Sequence, residues 1–290
     1  MDTVVFPPGL YDRLLESVRF DDPEEVLQRI EDHLSLSPGH AKKTKRAVSH
    51  LLAPIVQLRK YNLLESLTPT LLKHGVPVHC LALKAAVALP IDLAKVYLDK
   101  LFALGWDVNT ALSNTEPPVL SMALEDISLA HWLLGRGADP NAPCDIDLTP
   151  LSVAVRDASI PVIELLLQHA QHCHNGHLVF YATQRPDVNE STRLICLLQQ
   201  SNKPIDEILH HDARSYQFRA QFVRGTPLYY ACKERRFSVA QTLVELGADP
   251  DKACVRYDQI VGPSPREVAR ENGWSNLVPH EGRRIDESQV

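Results

Sequence analysis

The sequence predicts an all-α fold, a solenoid of about six to seven stacked helix-turn-helix units behind an N-terminal helical cap. Three observations predict it. Residues able to end a helix recur at Gly75, Gly105, Gly137, Ala170 and Ser201, at intervals of 30, 32, 33 and 31, and again after 46 at Gly247. A fixed period in this range marks a repeat architecture. Apolar residues precede each of these positions at helical spacing, as in Val239, Leu243 and Leu246. A small residue also falls once per unit, at Ala53, Ala86, Ala123, Ala154, Ala182, Ala231 and Ala269, where neighbouring helices can approach closely. Two short helices with one apolar stripe cannot bury it alone, so the units must stack.

The clearest unit starts at Gly225-Thr226-Pro227-Leu228. Thr226 is suited to cap a helix that opens with Pro227, where the missing N–H costs nothing. Ser238 with Gln241 three residues on reads as a capping box for the second helix, and Gly247 supplies the left-handed turn that ends it. Together with Leu243-Val244 and Gly247-Ala248-Asp249-Pro250, this span resembles the ankyrin repeat, whose signature runs Thr-Pro-Leu-His-x-Ala through a Leu-Leu pair to Gly-Ala-Asp. Tyr229 stands where the family has His. Thr149-Pro150-Leu151 repeats the motif and Ser264-Pro265 reduces it, while units around 48–78, 82–109, 118–141 and 177–206 keep only the period and the apolar pattern.

Taken in order, Pro7-Pro8-Gly9 is a lead-in, residues 10–19 read as a helix, and Asp22-Pro23-Glu24-Glu25 opens a second with an Asp-x-x-Glu box. This pair, within residues 1–40, is expected to cap the array with a polar outer face. Residues 35–39 read as a short loop. The array is expected over 41–280, with an insertion at 204–224 and a charged tail at 281–290. Between Ala170 and His177 the chain is too short for a normal projecting turn, which implies a tight connection with His177 standing in for the capping Thr. The insertion carries His210-His211, Tyr216, Phe218, Arg219, Phe222 and Arg224. Either it projects as an aromatic and basic interface anchor, or Phe218 and Phe222, four apart, pack a short extra helix. The last unit, 264–278, has one helix and a Gly273-Trp274 turn.

Composition bounds the function. With 30 Lys and Arg against 36 Asp and Glu the net charge is −6, which opposes direct nucleic-acid binding. Six cysteines without a Cys-x-x-Cys pair read as reduced thiols, and no apolar run approaches the roughly 18 residues of a membrane span. The expectation is a soluble cytoplasmic or nuclear protein with no membrane partner. Neither a Gly-x-Ser-x-Gly elbow nor a phosphate-cradling Gly-x-x-x-x-Gly-Lys is present, so no enzyme, cofactor or small-molecule substrate is expected. Metal-like density occurs at His169, His172, Cys173, His174 and His177, against the plainer reading of a helix end and polar turn. Lys42-Lys43-Thr44-Lys45-Arg46 reads either as a solvated helix face or as a nuclear-import signal, and Glu287-Ser288-Gln289-Val290 has the pattern of a PDZ ligand.

The resemblance implies a non-enzymatic adaptor or scaffold that binds another protein through a concave face and finger loops. The candidate partner-binding residues are Val153, Arg156, Asp157, Tyr230, Lys233 and Glu234 on first helices, with Tyr216, Phe218, Arg219, Phe222 and Arg224 on the insertion. The alternatives are a transcription co-regulator acting through protein contacts in the nucleus, and a metal-dependent protein using the 172–177 cluster.

Overall fold

A computed structural model of the chain describes residues 9–20, 22–35, 38–170, 176–274 and 277. Helices dominate, strands are two or three residues long, and contacts divide the chain into two compact units. One comprises Met1–Ser113 and Pro117–Asp139, the other Asn114–Glu116 and Pro140–Val290.

The first unit opens with α1 (Leu10–Phe20) and α2 (Pro23–Leu34). Asp22 caps α2 by accepting the Glu24 N–H at 2.9 Å, with Pro23 in the first turn. Leu10, Leu14 and Val18 of α1 and Val26, Ile30 and Leu34 of α2 are buried at helical spacing, so the hairpin closes on one apolar seam. Then follow α3 (Pro38–Gln57), α4 (Tyr61–His74), α5 (Cys80–Val87), α6 (Ile91–Ala103), strands β1 (Ala111–Ser113) and β2 (Glu116–Pro118), a 3₁₀ turn over Val119–Met122, and α7 (Ile127–Gly135). The first helices α1, α3 and α5 and the 3₁₀ turn pack in chain order; among second helices, α2 packs on α4 and α6 on α7. Helix pairs stacked in sequence order are what the period predicts. Gly75, Gly105 and Gly137 all take positive φ, at 58°, 97° and 87°.

The loop expected at 35–39 is shorter than the sequence suggested. Helix α3 begins at Pro38 and takes in Lys42–Arg46, because Thr44, Ala47, Val48, Leu51, Leu52 and Ile55 form one buried stripe that continues the helical phase backwards.

The second unit contains α8 (Pro150–Asp157), α9 (Ile160–His169), α10 (Leu178–Thr183), α11 (Val188–Gln200), α12 (Ala213–Arg219), α13 (Pro227–Lys233), α14 (Phe237–Glu245), β3 (Val255–Arg256), β4 (Gln259–Ile260) and α15 (Pro265–Glu271). Here α8, α10, α13 and α15 pack in succession, and α11 packs on α14. Thr149 Oγ1 accepts the Ser152 N–H at 3.0 Å while Ser152 Oγ accepts the Thr149 N–H at 3.1 Å; Ser264 and Glu267 form the same box at α15. Thr226 caps α13 through the Tyr229 N–H at 3.2 Å. The seven recurring alanines are all buried. Among its described residues the last unit has the single helix expected, followed by Gly273 at φ 78°.

Two local expectations change. Ser238 is not a cap: α14 starts at Phe237, with Arg236 at the N-cap and no side-chain cap bond. Arg236 is held there by its own N–H to the Ala231 carbonyl at 2.9 Å and by its guanidinium on the Thr183 carbonyl, which moves the helix start two residues ahead of the one the motif implies. His177 occupies the N-cap of α10 at φ 47°, but its ring makes no capping bond and turns inward instead. His172, Cys173 and His174, the tail at 281–290 and the motif at 287–290 lie outside the described residues.

The ends of α8, α10 and α13 in the second unit are each met by a donor from the following repeat. Arg185 donates to the Val155 and Ala158 carbonyls at 3.1 and 3.0 Å, Arg236 to the Thr183 carbonyl, and Asn272 Nδ2 to the Cys232 carbonyl at 2.7 Å. Helix C-termini leave carbonyls without intrahelical partners, and here the next repeat satisfies them.

Candidate functional site

The first-helix candidates come together on one ridge. Val153, Arg156 and Asp157 lie on α8, and Tyr230 and Lys233, with Glu234 just past its end, on α13; α10 stands between the two helices. Phe180 and Tyr181 of α10 bridge them. Phe180 meets the Tyr230 ring edge-on at 4.9 Å, and the Arg156 guanidinium lies over Tyr181 at 5.8 Å. Lys233 Nζ sits 5.7 and 6.0 Å from the Tyr229 and Tyr230 ring centres, and Gln184 Nε2 donates to Glu234 Oε2 at 3.3 Å. Asp157, Lys233 and Glu234 are exposed, and Val153, Arg156, Tyr230 and Phe180 are partly so. Phe180 and Gln184 were missed by the sequence reading. Their signal was the aromatic pair Phe180-Tyr181 in a first helix that lacks Thr-Pro.

The insertion folds as α12, capped by Asp212 Oδ1, which accepts the Arg214 and Ser215 N–H groups at 3.0 and 2.8 Å. Arg224 is 2% exposed. Its backbone pairs with Val255 through two 2.9 Å bonds, its guanidinium donates to the His210 carbonyl at 2.9 Å and lies over the Tyr216 ring at 5.2 Å. It thus joins the two ends of the insertion to β3 and does not face solvent. Tyr216 and Arg219 are half-buried, whereas Phe218 and Phe222 are 43% and 53% exposed. Arg219 lies over the Phe222 ring at 5.9 Å.

Beneath the insertion is a buried polar cluster of which the sequence pointed to His177 and His210 alone. His177 Nε2 is 3.6 Å from Asp147 Oδ2 and 3.5 Å from Asp212 Oδ2, and Nδ1 is 3.3 Å from Glu207 Oε2. Asp147 Oδ2 also accepts the Gly176 N–H at 2.9 Å, and the His210 N–H points at His177 Nε2 from 3.1 Å. Burial by itself lowers the His177 pKa, but its contacts with Asp212 and Glu207 and the charge of Asp147 carry it up to about 9. Burial, with the charge of His177 beside it, pushes His210 down to about 4. Asp147 is raised by burial. His169, on α9, is not part of the cluster that Asp147, His177 and Asp212 form. No short-range signal links Asp147, Glu207 and Asp212 to His177, because they come from three different segments.

Among the described residues, no helix is long and apolar enough to cross a membrane. Burial raises the Cys232 thiol to about 12 and the Cys254 thiol to about 11, which leaves both as thiols.

The profile described as ankyrin repeats (3 copies) matches residues 119–254. A curated relative, the ankyrin repeat protein nuc-2 of Neurospora crassa, is 29% identical over 145 residues, which is 48% of this chain and only 12% of the relative. The chain therefore spans about an eighth of that protein's length. Among solved structures, the human ASB11 ankyrin repeat domain is 22% identical with a TM-score of 0.47, covering 70% of this chain and 85% of that one. The Bcl-3 ankyrin repeat domain is 19% identical with a TM-score of 0.48, covering 67% and 81%. An ankyrin repeat domain from Acinetobacter baumannii AYE is 20% identical with a TM-score of 0.46, covering 67% and 92%. With Thr-Pro caps, left-handed glycines and helix pairs packed in chain order, the stretch 119–254 carries ankyrin repeats.

Proposed function

We propose that the chain is a non-enzymatic adaptor or scaffold that binds another protein through the α8–α10–α13 ridge and the insertion carrying α12. The observation that carries this reading is the exposure of Phe218 and Phe222, at 43% and 53%, beside Arg219. Aromatic and arginine side chains supply most of the anchoring energy of protein interfaces, and a phenylalanine left half in water forgoes roughly half of the about 1.5–3 kcal/mol that full burial supplies, which a partner can restore. The ridge adds the mixed charges of Arg156, Asp157, Lys233 and Glu234, which suits a polar partner surface of mixed sign. The whole protein's partner belongs to this proposal as a protein of that surface chemistry, met in the cytoplasm or nucleus.

The test is quantitative affinity purification from matched lysates, comparing wild type with Phe218→Ser/Phe222→Ser and leaving Arg224 native because it holds the insertion. Expected is loss of a reproducibly enriched protein with an unchanged melting temperature. Equal enrichment with a lowered melting temperature would show that the two rings serve packing.

A second reading, a transcription co-regulator acting through protein contacts, is favoured by the exposure of Lys42, Lys43 and Arg46 on α3. It requires that a tagged protein accumulate in the nucleus and lose that accumulation when Lys42, Lys43, Lys45 and Arg46 become Ala.

A further inference from the structure

Asp147 precedes the Thr149-Pro150 cap, His177 opens α10, and Asp212 caps α12, so three segments deliver three polar side chains to one point. His177 Nε2 and one oxygen of each aspartate all lie within 4.8 Å of one another. The His177 side chain is 1% exposed and that of Asp147 7%. Asp212 spends Oδ1 on the cap of α12, which leaves Oδ2 buried without a hydrogen-bond partner, and His177 Nδ1 is likewise buried with only the 3.3 Å ion-pair contact to Glu207.

The arrangement makes conflicting demands on one atom. The His210 N–H directed at Nε2 calls for a lone pair there, which puts the ring proton on Nδ1, facing Glu207. Two carboxylate oxygens also converge on that nitrogen at 3.5 and 3.6 Å, so either a proton on Nε2 or a metal cation must lie among them. Buried groups of like polarity at such distances repel unless a cation lies among them. The separations are close to the roughly 3.3 Å expected between ligands on a tetrahedral ion with bonds of about 2.0 Å. Glu207 stands behind the ring as the carboxylate that orients a metal-binding histidine through its other nitrogen.

We propose that Asp147, His177 and Asp212 bind one divalent cation of the zinc class, with Glu207 positioning the imidazole. The donor set is one imidazole and two carboxylates without thiolate, which suits zinc. Because Asp212 belongs to the insertion and Asp147 and His177 to the repeats, the ion ties the base of α12 to them. This tether is separate from the exposed Phe218 and Phe222, so it stands or falls independently of partner binding.

The experiment uses the full chain, stripped with chelator and titrated with zinc by calorimetry and with cobalt by visible absorption. The variants are Asp147→Asn and Asp212→Asn, which keep an acceptor for the Gly176 N–H and a cap for α12, and a control combining His172→Ala, Cys173→Ser and His174→Ala. Wild type and control are expected to take up one equivalent of zinc, with a cobalt spectrum lacking thiolate charge transfer and a melting temperature raised by the metal. Each aspartate variant should bind at least tenfold more weakly. Either aspartate variant decides the question if the other fails to fold by circular dichroism. The proposal is overturned if wild type takes up no stoichiometric zinc, since a proton then bridges the cluster. It is equally overturned if the aspartate variants bind like wild type or if the control abolishes uptake, which would make the ion adventitious at 172–174.

Discussion

Replacing Arg185 by Met should unfasten one repeat from the next. The guanidinium is 6% exposed as part of a buried residue and donates to the Val155 and Ala158 carbonyls at 3.1 and 3.0 Å, and to Glu190 Oε2 at 3.1 and 2.7 Å. Met keeps the aliphatic stem and removes every donor. Two buried carbonyls at the end of α8 then lose a charged donor, each worth about 1.5–3 kcal/mol. Glu190, with 46% of its side chain exposed, is rehydrated and adds at most about 1 kcal/mol. Relief from holding a buried charge offsets part of this, leaving an expected loss of about 2–4 kcal/mol. Asn272→Ala removes a single neutral bond to the Cys232 carbonyl and should cost about 1 kcal/mol. Urea unfolding followed by circular dichroism measures both, and amide exchange should show the Arg185→Met loss concentrated in α8 and α10, since repeats are stabilised by their immediate neighbours. An Arg185→Met variant within about 0.5 kcal/mol of wild type, or no more destabilised than Asn272→Ala, would refute the argument that these donors join the repeats.

Two glycines with the same backbone separate sterics from conformation. Gly176 and Gly247 both have φ 92°, yet a Cβ at Gly176 would lie 2.8 Å from Thr149 Oγ1 and closer still to Ser152 Oγ, whereas nothing stands within 4 Å of one at Gly247. Gly247→Ala should therefore cost about 1 kcal/mol and Gly176→Ala about 3 kcal/mol or more, read by urea unfolding; equal losses would remove the packing argument. A pH series tests His50 and His79, whose rings meet at 4.0 Å. Burial lowers both pKa values, aided at His79 by His50, Arg46 and Lys84 and at His50 by Arg46. The unfolded chain then binds protons first, so stability is full above about pH 6.5 and falls as pH drops below it. His79 Nδ1 also accepts the Leu81 N–H at 3.2 Å, a cap that Asn can replace, so His79→Asn should give a shallower loss between pH 7 and 5. An unchanged slope would show that this ring is not the one titrating.

What could be read from the residues alone was whatever closes within one or two helical turns. Thr149, Thr226 and Ser264 cap helices as their motifs indicated, Asp22 caps α2 without the expected box because Glu25 pairs with Arg29, and Gly75, Gly105, Gly137 and Gly247 take the left-handed turns that set the period. These features depend on hydrogen bonds and φ values local to a few residues. Ser238 misled because Arg236 reaches a carbonyl 53 residues away and starts the helix earlier. The fates of Arg224 and His177 depended on tertiary structure alone: one arginine of an aromatic insertion went inside while Phe218 and Phe222 stayed out, and a nominal cap turned to meet Asp147 and Asp212. A side chain's long-range polar partner is set by how neighbouring turns align in space, and no spacing within one repeat encodes that alignment.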